Sequence, residues 1–311
     1  MLSAPFPYYG NKRLAAPMIE RLMGPVSNLV IPFGGALGEL LGRSKPAKIE
    51  TVNDLDGFIV NAWRAMQQSP DRLAELCDQP VHEATMHAAH DLLLARADQL
   101  DELVLSHPLA HDVELAAWWI WGASCWLGQG WCHDGEPMRK RPKLGGQGDR
   151  PQRGRGVSRQ LPMLSGSDGS GVGYGQGIHA HNQRDALTQW FSALSDRLRF
   201  VRIAMGSWER VLTPAVTTSH GLTGVSLDPC YDPKRRAKRL YRKDSDSLAE
   251  QVRAWALEHG EDPLLRIVLA GLGDEHDELL AHGWNSHRWR SDDETLWASP
   301  RCNQAHQLAL F

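Results

Sequence analysis

No apolar run in the sequence is long enough to cross a bilayer, and the first residues lack the basic-then-apolar pattern of a signal peptide. The five cysteines are odd in number and scattered, and they form no set of closely spaced pairs that would predict a zinc site. We therefore expect a cytoplasmic protein with reduced thiols, no membrane partner and no metal.

The sequence also lacks the two common glycine signatures of phosphate binding. Gly34, Gly35 and Gly38 do not have the Gly-x-Gly-x-x-Gly spacing of dinucleotide-binding folds. No Gly-Lys-Ser or Gly-Lys-Thr marks a phosphate loop either. A nucleoside ligand without a pyrophosphate therefore fits better than NAD or ATP.

The composition is that of an ordinary globular protein, with 42% hydrophobic and 23% charged residues. A chain of 311 residues accommodates one large α/β domain with a substantial insertion. The net charge of −3, from 34 basic and 37 acidic residues, does not by itself indicate a nucleic-acid partner. The distribution of the positive charge is more informative.

Positive charge is concentrated in two segments, 139–159 and 234–243. The first lies in a region rich in Gly, Ser and Pro, about 134–182, which we predict to be a flexible loop. Basic residues in such a loop contact phosphates more readily than base edges, so we expect short or loose sequence specificity. The predicted DNA-binding residues are Arg139, Lys140, Arg141, Lys143, Arg235, Arg236 and Arg239.

A strand, a glycine-rich turn and a second strand predict a nucleoside site in the N-terminal part. The strand 28–31 precedes glycines that let the backbone approach a ligand. The strand beginning at 48 ends in Asp54, where nucleotide-binding α/β folds place an acid on the ribose hydroxyls. Asp56 is the less favoured candidate. The alternative for either acid is that it caps the predicted helix 57–66.

The segment 224–227 predicts a short buried strand that ends in Asp228-Pro229-Cys230-Tyr231. Ligands of open α/β sheets bind at the carboxyl ends of strands. The Asp228 carboxylate and the Pro229 carbonyl could accept hydrogen bonds from an exocyclic amine and localise its lone pair. The Tyr231 ring could stack on a base drawn out of the duplex. These three residues are the catalytic candidates, and the alternative is a simple strand-ending turn.

The middle and the end of the chain predict mainly scaffold. Helices are predicted at 71–77, 82–97 and 110–127, and the four tryptophans of the third helix indicate core packing. We expect His82, His87 and His90 to be solvated, because no cysteine accompanies them. A helix leading to a strand is predicted over 186–204, a helix over 245–258 and a strand over 264–270. A polar loop, 274–276, for which a substrate-side role is the alternative, and a hairpin over 284–299 with inward-facing Trp289 and Trp297 follow.

Together these motifs resemble the Dam-type DNA adenine methyltransferases of the alpha arrangement, especially phage and prophage members. The resemblance spans about residues 5–66 and 195–302. The matching segments are Tyr8, Gly10 and Lys12 of the N-terminal AdoMet motif, Pro32-Phe33-Gly34-Gly35, Asn53-Asp54, Gly206-Ser207-Trp208, Asp228-Pro229-Cys230-Tyr231, 266–271 and 297–300.

The resemblance implies a Rossmann-like AdoMet-dependent methyltransferase sheet with an inserted, mainly helical target-recognition region. Residues 1–68 would form the AdoMet-binding part, 69–185 the insertion, and 186–311 the remainder of the catalytic domain. The implied reaction moves a methyl group from AdoMet to N6 of a flipped adenine in double-stranded DNA, carried out by a monomer or weak dimer. The implied cofactor residues are Tyr8, Gly10, Lys12, Pro32, Phe33, Gly34, Gly35, Asp54 and Ser207.

Three residues depart from the family pattern. Asn11 replaces a glycine, Ser207 replaces an acid that contacts the AdoMet adenine, and Cys230 replaces the second proline. The first two changes leave weak AdoMet binding or an altered sulfonium donor open. The alternatives are amino-methylation of cytosine N4 or of RNA, and a DNA-binding protein of the same fold without transfer activity. A role in protection from restriction enzymes is an expectation by analogy alone.

Overall fold

The computed structural model describes residues 2–8, 10–107, 109–125, 131–132, 184–232, 235, 242–243, 247–289 and 294–302. Within these ranges the chain forms a mixed α/β structure built on a seven-stranded sheet. The predicted loop at about 134–182 lies outside the described residues, as does the segment that follows residue 302.

The sheet is mostly parallel and has the strand order β3-β2-β1-β4-β5-β7-β6. Strands β1 to β5 pair in parallel, whereas β7 runs antiparallel to both β5 and β6. This arrangement confirms the predicted α/β class and is compatible with a Rossmann-like fold. The strands are β1 Asn28–Ile31, β2 Ile49–Asp54, β3 Arg202–Met205, β4 Thr223–Leu227, β5 Leu265–Leu272, β6 Asn285–Arg288 and β7 Glu294–Ala298.

Eight helices are found in the described part of the chain, five of them between β2 and β3. They are α1 Ala16–Met23, α2 Gly38–Gly42, α3 Gly57–Gln68, α4 Pro70–Cys77, α5 Glu83–Ser106, α6 Val113–Cys125, α7 Arg184–Leu198 and α8 Leu248–His259. Short 3₁₀ turns follow β3 and β5. The predicted helices all correspond to observed ones, with boundaries that differ by a few residues, except for α5.

Helix α5 continues about two turns beyond its predicted end at residue 97. Leu100 and Val104 keep the helical spacing of buried positions and pack into the core. The prediction of solvated histidines is wrong for His90, which is buried with its ring 5.3 Å from that of Trp131. The neighbouring residues of α5 place His90 on an apolar, buried face of the helix, which the spacing of the histidines in the sequence did not indicate.

The central strands are short and apolar because helices and loops cover both faces of the sheet. Every residue of β1 and β4 is buried, which is typical of parallel strands in an α/β protein. One core cluster contains Trp63, Trp119 and Trp121, and a second contains Trp208 and Trp297. The core interpretation of the α6 tryptophans is thus confirmed for Trp119 and Trp121, while Trp126 lies outside the described residues.

The C-terminal hairpin forms as predicted, but the burial of two nearby side chains differs from the prediction. Trp297 is fully buried, whereas Trp289 is only half-buried. The prediction of a polar loop at 274–276 is wrong for His276, which is fully buried with its ring edge-on to Trp297 at 5.0 Å. This burial lowers the pKa of His276 to about 3, with the charge of Arg253 adding to the effect.

The strand order reverses between β1 and β4, which are direct neighbours in the sheet. In doubly wound α/β folds the loops that leave the two strands at such a point diverge and open a crevice at their carboxyl ends. Here those loops are the glycine turn after β1 and the Asp228 loop after β4. The sheet therefore brings together the two motifs that sequence analysis singled out.

All five cysteines are free thiols. Within the described ranges, no group of three or more His, Cys, Asp or Glu side chains is arranged to hold a metal ion. None of the helices in the part of the chain that the structure describes combines the length and the apolar character needed to span a membrane.

Candidate active site

A cavity of about 290 Å³ opens at the carboxyl ends of β1, β2 and β4. Its walls come from the N-terminal loop, the glycine turn, the end of β2, the turn after β3, the Asp228 loop and the start of α8. The predicted site residues that line it are Tyr8, Gly10, Lys12, Pro32, Phe33, Gly34, Gly35, Asp54, Ser207 and Asp228. All nine predicted cofactor residues and one predicted catalytic residue thus meet at one cavity.

The backbone conformation and close packing of the glycine turn leave no space for a larger side chain at Gly35. This residue has a φ of +46°, and a Cβ built on it would lie 2.7 Å from Cε1 of Tyr8. The indole N–H of Trp63 donates to the Gly35 carbonyl at 2.8 Å, and the Gly34 N–H donates to the Asn53 carbonyl at 2.7 Å. The turn is therefore clamped between the N-terminal loop, α3 and β2.

Asp54 closes the same turn from the side of β2. Its carboxylate accepts the Gly35 N–H at 2.8 Å and the Asp56 N–H at 2.9 Å. Burial raises the pKa of Asp54 to about 6, although these backbone hydrogen bonds oppose the rise. Both carboxylate oxygens retain accepting capacity toward the cavity, so the same side chain can support the turn and contact a ligand.

Asp56 has a structural role that matches the capping alternative. Its carboxylate accepts the Phe58 N–H at 3.0 Å at the N-terminus of α3. It also pairs with Arg242, whose Nη1 lies 2.9 Å from Oδ1 and whose side chain is only 3% exposed. The Arg242 guanidinium lies 4.7 Å from the Phe58 ring centroid. Asp56 therefore joins α3 to the segment that follows the Asp228 loop.

Lys12 lies among the catalytic candidates rather than against the glycine turn. Its ammonium donates to Tyr231 Oη at 2.7 Å and to the Gly10 carbonyl at 2.9 Å, and lies 3.0 Å from Asp228 Oδ1. An ammonium has three protons, and these three acceptors use them all. The carboxylate of Glu294 lies 3.7 Å away as a further counter-charge. The Lys12 side chain is 4% exposed, whereas those of Asp228 and Glu294 are 23% and 17% exposed, so the cluster is buried at Lys12 and partly open at its two acids.

The ion pair with Lys12 favours the ionised form of Asp228. Burial raises the pKa of Asp228, while the charge and the hydrogen bond of Lys12 lower it and so oppose the shift. Lys12 engages Oδ1 and thereby orients the carboxylate, whose residue lines the cavity. Asp228 therefore presents at the cavity wall a carboxylate that Lys12 orients, with 23% of its side chain exposed.

The other two catalytic candidates lie behind the cavity surface. Tyr231 is 7% exposed, and its ring centroid is 5.2 Å from the Lys12 ammonium. Pro229 is buried as well. Neither contributes to the cavity wall formed by the described residues, whereas Cys230 does. Stacking of Tyr231 on a base thus requires a face of its ring to become uncovered.

Part of the cavity wall is aromatic. The rings of Phe33 and Trp208 stack with centroids 6.1 Å apart and an interplanar angle of 28°. Trp255 of α8 meets Trp208 edge-on at 6.3 Å. The Ser207 hydroxyl donates a hydrogen bond to the Glu209 carboxylate, and both residues line the cavity. An acid is therefore present two residues after the position where the family pattern places one.

Two acid contacts around the site were not predicted from the sequence. Glu294 begins β7 and reaches Lys12 only because that strand runs antiparallel beside β5. Glu275 accepts the backbone N–H groups of Asp232 at 2.7 Å and Leu272 at 2.9 Å, which fixes the end of the Asp228 loop. The proximity of Asp274-Glu275-His276 to the end of a predicted strand was the available signal for Glu275.

The predicted DNA-binding residues are largely beyond what the structure shows. Six of them lie outside the described residues: Arg139, Lys140, Arg141, Lys143, Arg236 and Arg239. The seventh, Arg235, is exposed and forms an ion pair with Asp274 at the end of β5. It also lies 3.5 Å from the Leu272 carbonyl. Arg235 is therefore at the surface close to the Asp228 loop.

Comparison with known proteins gives no further identification. A scan against protein-family models finds no match to the chain, and a search of curated protein sequences finds no match either. The function must therefore be inferred from the geometry of the site and from the resemblance of its motifs.

Proposed function

We propose that the protein is an AdoMet-dependent methyltransferase that acts on the exocyclic N6 amine of adenine in double-stranded DNA. The observation that carries this proposal is that Asp228 and the Gly35 turn face one cavity, with Lys12 holding the Asp228 carboxylate. A methyl-donor site and an amine-acceptor site would then lie side by side. Such an arrangement lets proximity and orientation lower the barrier without a covalent enzyme intermediate.

The cavity offers the chemical groups that a nucleoside with a charged tail would need. The stacked Phe33 and Trp208 rings provide an apolar surface at one end for a purine. The Asp54 carboxylate lines the same cavity and accepts the Gly35 N–H, and ribose hydroxyls could donate to it there. At Gly35 the absence of a side chain lets the ligand approach the backbone. AdoMet, when bound, supplies a methyl group on a positively charged sulfur.

The part of the cavity wall at Asp228 suits a weakly nucleophilic amine. In this proposal Asp228 and the Pro229 carbonyl accept hydrogen bonds from the two N–H groups of the amine. The amine lone pair, no longer delocalised into the base, would form the new C–N bond to the methyl carbon as the methyl–sulfur bond breaks. The sulfonium would leave as a neutral thioether, and one amine proton would be released to solvent. The charge of Lys12 favours the ionised form of Asp228, which can accept rather than donate.

DNA as the substrate, and adenine as its target base, rest on the motif resemblance. Helices α4 to α6 lie between β2 and β3, within the range 69–185 of the proposed target-recognition insertion. Arg235 is at the surface beside the Asp228 loop and is suited to phosphate contact. We further propose a cytoplasmic monomer or weak dimer with short or loose sequence specificity, consistent with a phage-like modification enzyme.

The test is transfer of labelled methyl from AdoMet to unmethylated duplex DNA, with the digested nucleosides resolved by mass. Asp228→Asn keeps the shape of the side chain but removes its charge, and should lower transfer by about 10²-fold or more. Asp71→Asn is the matched control, because Asp71 is an exposed acid at the start of α4. It should leave transfer unchanged.

The possible products separate the alternatives. N6-methyladenine that is lost in Asp228→Asn supports the proposal, whereas methylated cytosine would change the base and keep the chemistry. Absence of transfer with AdoMet binding intact would contradict duplex DNA as the substrate. Absence of AdoMet binding would overturn the methyltransferase proposal and favour a DNA-binding protein of the same fold.

A further inference from the structure

Glu39 is a buried carboxylate in the cavity wall to which the proposed mechanism gives no role. It lies in the first turn of α2 and is 5% exposed. Its Oε1 atom is shielded from solvent and accepts no hydrogen bond from any residue that the structure describes. A buried carboxylate oxygen without a donor is costly, and its presence beside a ligand cavity calls for an explanation.

Arg43, the cation paired with Glu39, compensates the negative charge of Glu39 only in part. Arg43 Nη1 lies 3.7 Å from Oε1, which is beyond hydrogen-bond distance. Arg43 is itself buried, and its Nε and Nη1 atoms find no hydrogen-bond acceptor among the described residues. Glu39 and Arg43 therefore both keep buried polar atoms that have no hydrogen-bond partner among the described residues. Burial accordingly raises the pKa of Glu39 to about 6, although Arg43 and a hydrogen bond from Ser226 oppose the rise.

The charges around this end of the cavity do not balance. Glu39 faces Arg43, and the ammonium of Lys12 faces Asp228 and Glu294. Among the described residues that line the cavity, five acids (Glu39, Asp54, Asp56, Glu209 and Asp228) face three cations (Lys12, Arg242 and Lys243), so acids are in excess. Asp228 and Lys12 also act on Glu39 through space, in opposite directions. A cavity with an excess of acids favours a ligand that brings positive charge.

We propose that Glu39 is the counter-charge for the cationic methyl donor and makes the site prefer the sulfonium donor over its neutral thioether product. This inference rests on the proposed function. AdoMet carries an ammonium, a carboxylate and a sulfonium, for a net charge of +1, whereas S-adenosylhomocysteine has lost the sulfonium charge. The two ligands otherwise have nearly the same shape. A residue that acts through charge should therefore distinguish them, and one that only shapes the cavity should not.

The test is a calorimetric comparison of AdoMet and S-adenosylhomocysteine binding to the wild type and Glu39→Gln, at a pH where Glu39 is ionised. The variant should bind AdoMet about tenfold more weakly and S-adenosylhomocysteine with little change. Glu39→Met, which removes both charge and polarity at similar size, should lower the ratio of the two affinities in the same way. Agreement between the two variants guards against a local packing effect in either one.

Glu20→Gln is the matched control. Glu20 also interacts with the charge of Arg43 but binds Ser44 and lies outside the cavity wall. It should leave both affinities unchanged. An unchanged affinity ratio in the Glu39 variants, with both ligands bound by the wild type, would overturn this inference and leave the methyltransferase proposal standing. A wild type that binds neither ligand would instead overturn the proposed function and this inference with it.

Discussion

The Lys12 ammonium lies 3.0 Å from the Asp228 carboxylate and 2.7 Å from the Tyr231 hydroxyl. Residues from opposite ends of the chain thus form one cluster beside the cavity. The N-terminal loop is therefore part of the proposed reaction site as well as of the proposed donor site. Any change at Lys12 should consequently affect the chemistry of Asp228.

Replacing Lys12 by methionine should shift the pH dependence of methyl transfer. The substitution removes the charge that favours the ionised form of Asp228, so the pKa of Asp228 should rise further above its ordinary value. Because a protonated Asp228 cannot serve as the acceptor, the acid limb of the pH–rate profile should move to higher pH. The rate near neutral pH should fall by roughly 10²-fold.

The control is Lys48→Met, which changes an exposed lysine just before β2 and should leave the profile in place. The measurement is single-turnover methyl transfer over a range of pH, with folding checked by circular dichroism. A uniform loss of rate with an unmoved acid limb would show that Lys12 does not act through the protonation of Asp228.

Replacing Gly35 by alanine should cost more than its backbone conformation alone explains. Gly35 and Gly273 both have positive φ, +46° and +58°, where alanine is strained by about 1–2 kcal/mol. A Cβ at Gly35 would also meet the Tyr8 ring at 2.7 Å, whereas one at Gly273 finds its nearest neighbour, the end of the Arg235 side chain, at 3.7 Å. Gly273→Ala is thus the matched control for the backbone term.

Urea unfolding should therefore show a larger loss of stability for Gly35→Ala than for Gly273→Ala, by about 1 kcal/mol or more. AdoMet binding should weaken in the Gly35 variant only. Equal losses in both variants would mean that the Tyr8 ring moves aside freely and that the turn is less tightly clamped than its contacts indicate.

Sequence reasoning succeeded where a local pattern determines the outcome. The strands at 28–31 and 223–227, the glycine turn and Asp228 were identifiable because apolar runs that end in turn residues indicate buried strands. The neighbourhood of these motifs also followed from the rule that strand ends at a switch point share a crevice. The nine predicted cofactor residues lie at that crevice for this reason.

What could not be predicted is the direction in which long side chains reach. Lys12 was predicted as a cofactor residue. It lines the cavity, but its ammonium binds the Asp228 carboxylate, because a flexible lysine side chain can reach acceptors on several sides of its loop. Glu294 reaches the site through the antiparallel pairing of β7, which no local pattern specifies. Glu39 looks like an ordinary first-turn helix acid in the sequence, and only tertiary packing buries it.

The ion pair between Arg242 and Asp56 should be strongly coupled. Arg242 is 3% exposed, and its Nη1 lies 2.9 Å from the Asp56 carboxylate. Removing either partner leaves a buried charge, so Arg242→Met should destabilise the fold by about 3 kcal/mol. A double-mutant cycle with Asp56→Asn, measured by urea unfolding, should give a coupling energy of about 1–3 kcal/mol.

The comparison pair is Arg72 and Glu75, which are 2.6 Å apart but mostly exposed on α4. Their coupling energy should stay below about 0.5 kcal/mol, because solvent screens the pair. Equal coupling in the two pairs would contradict the view that burial at α3 makes the Arg242 contact important for the segment after the Asp228 loop.

The pH dependence of stability should reveal the cost of the Glu39 charge in the free protein. Burial raises the pKa of Glu39 from 4.5 to about 6, so the folded state binds a proton more readily than the unfolded state does. The ionised carboxylate therefore destabilises the fold above pH 6, and protonation removes this cost as the pH falls toward 4.5. Glu39→Gln should be more stable than the wild type near pH 8, by up to about 2 kcal/mol, and the difference should vanish near pH 4.5.

Glu20 provides a control of opposite sign. Burial acts to raise its pKa, but hydrogen bonds from Ser44 outweigh burial and leave the pKa below its ordinary value. Ionised Glu20 therefore stabilises the fold, so Glu20→Gln should lose stability near neutral pH and approach the wild type in acid. The measurement is the urea midpoint of the wild type and both variants at several pH values. If Glu39→Gln is the less stable protein near pH 8, the carboxylate serves the fold. If it is the more stable one yet binds AdoMet more weakly, the chain keeps a destabilising charge because the ligand requires it.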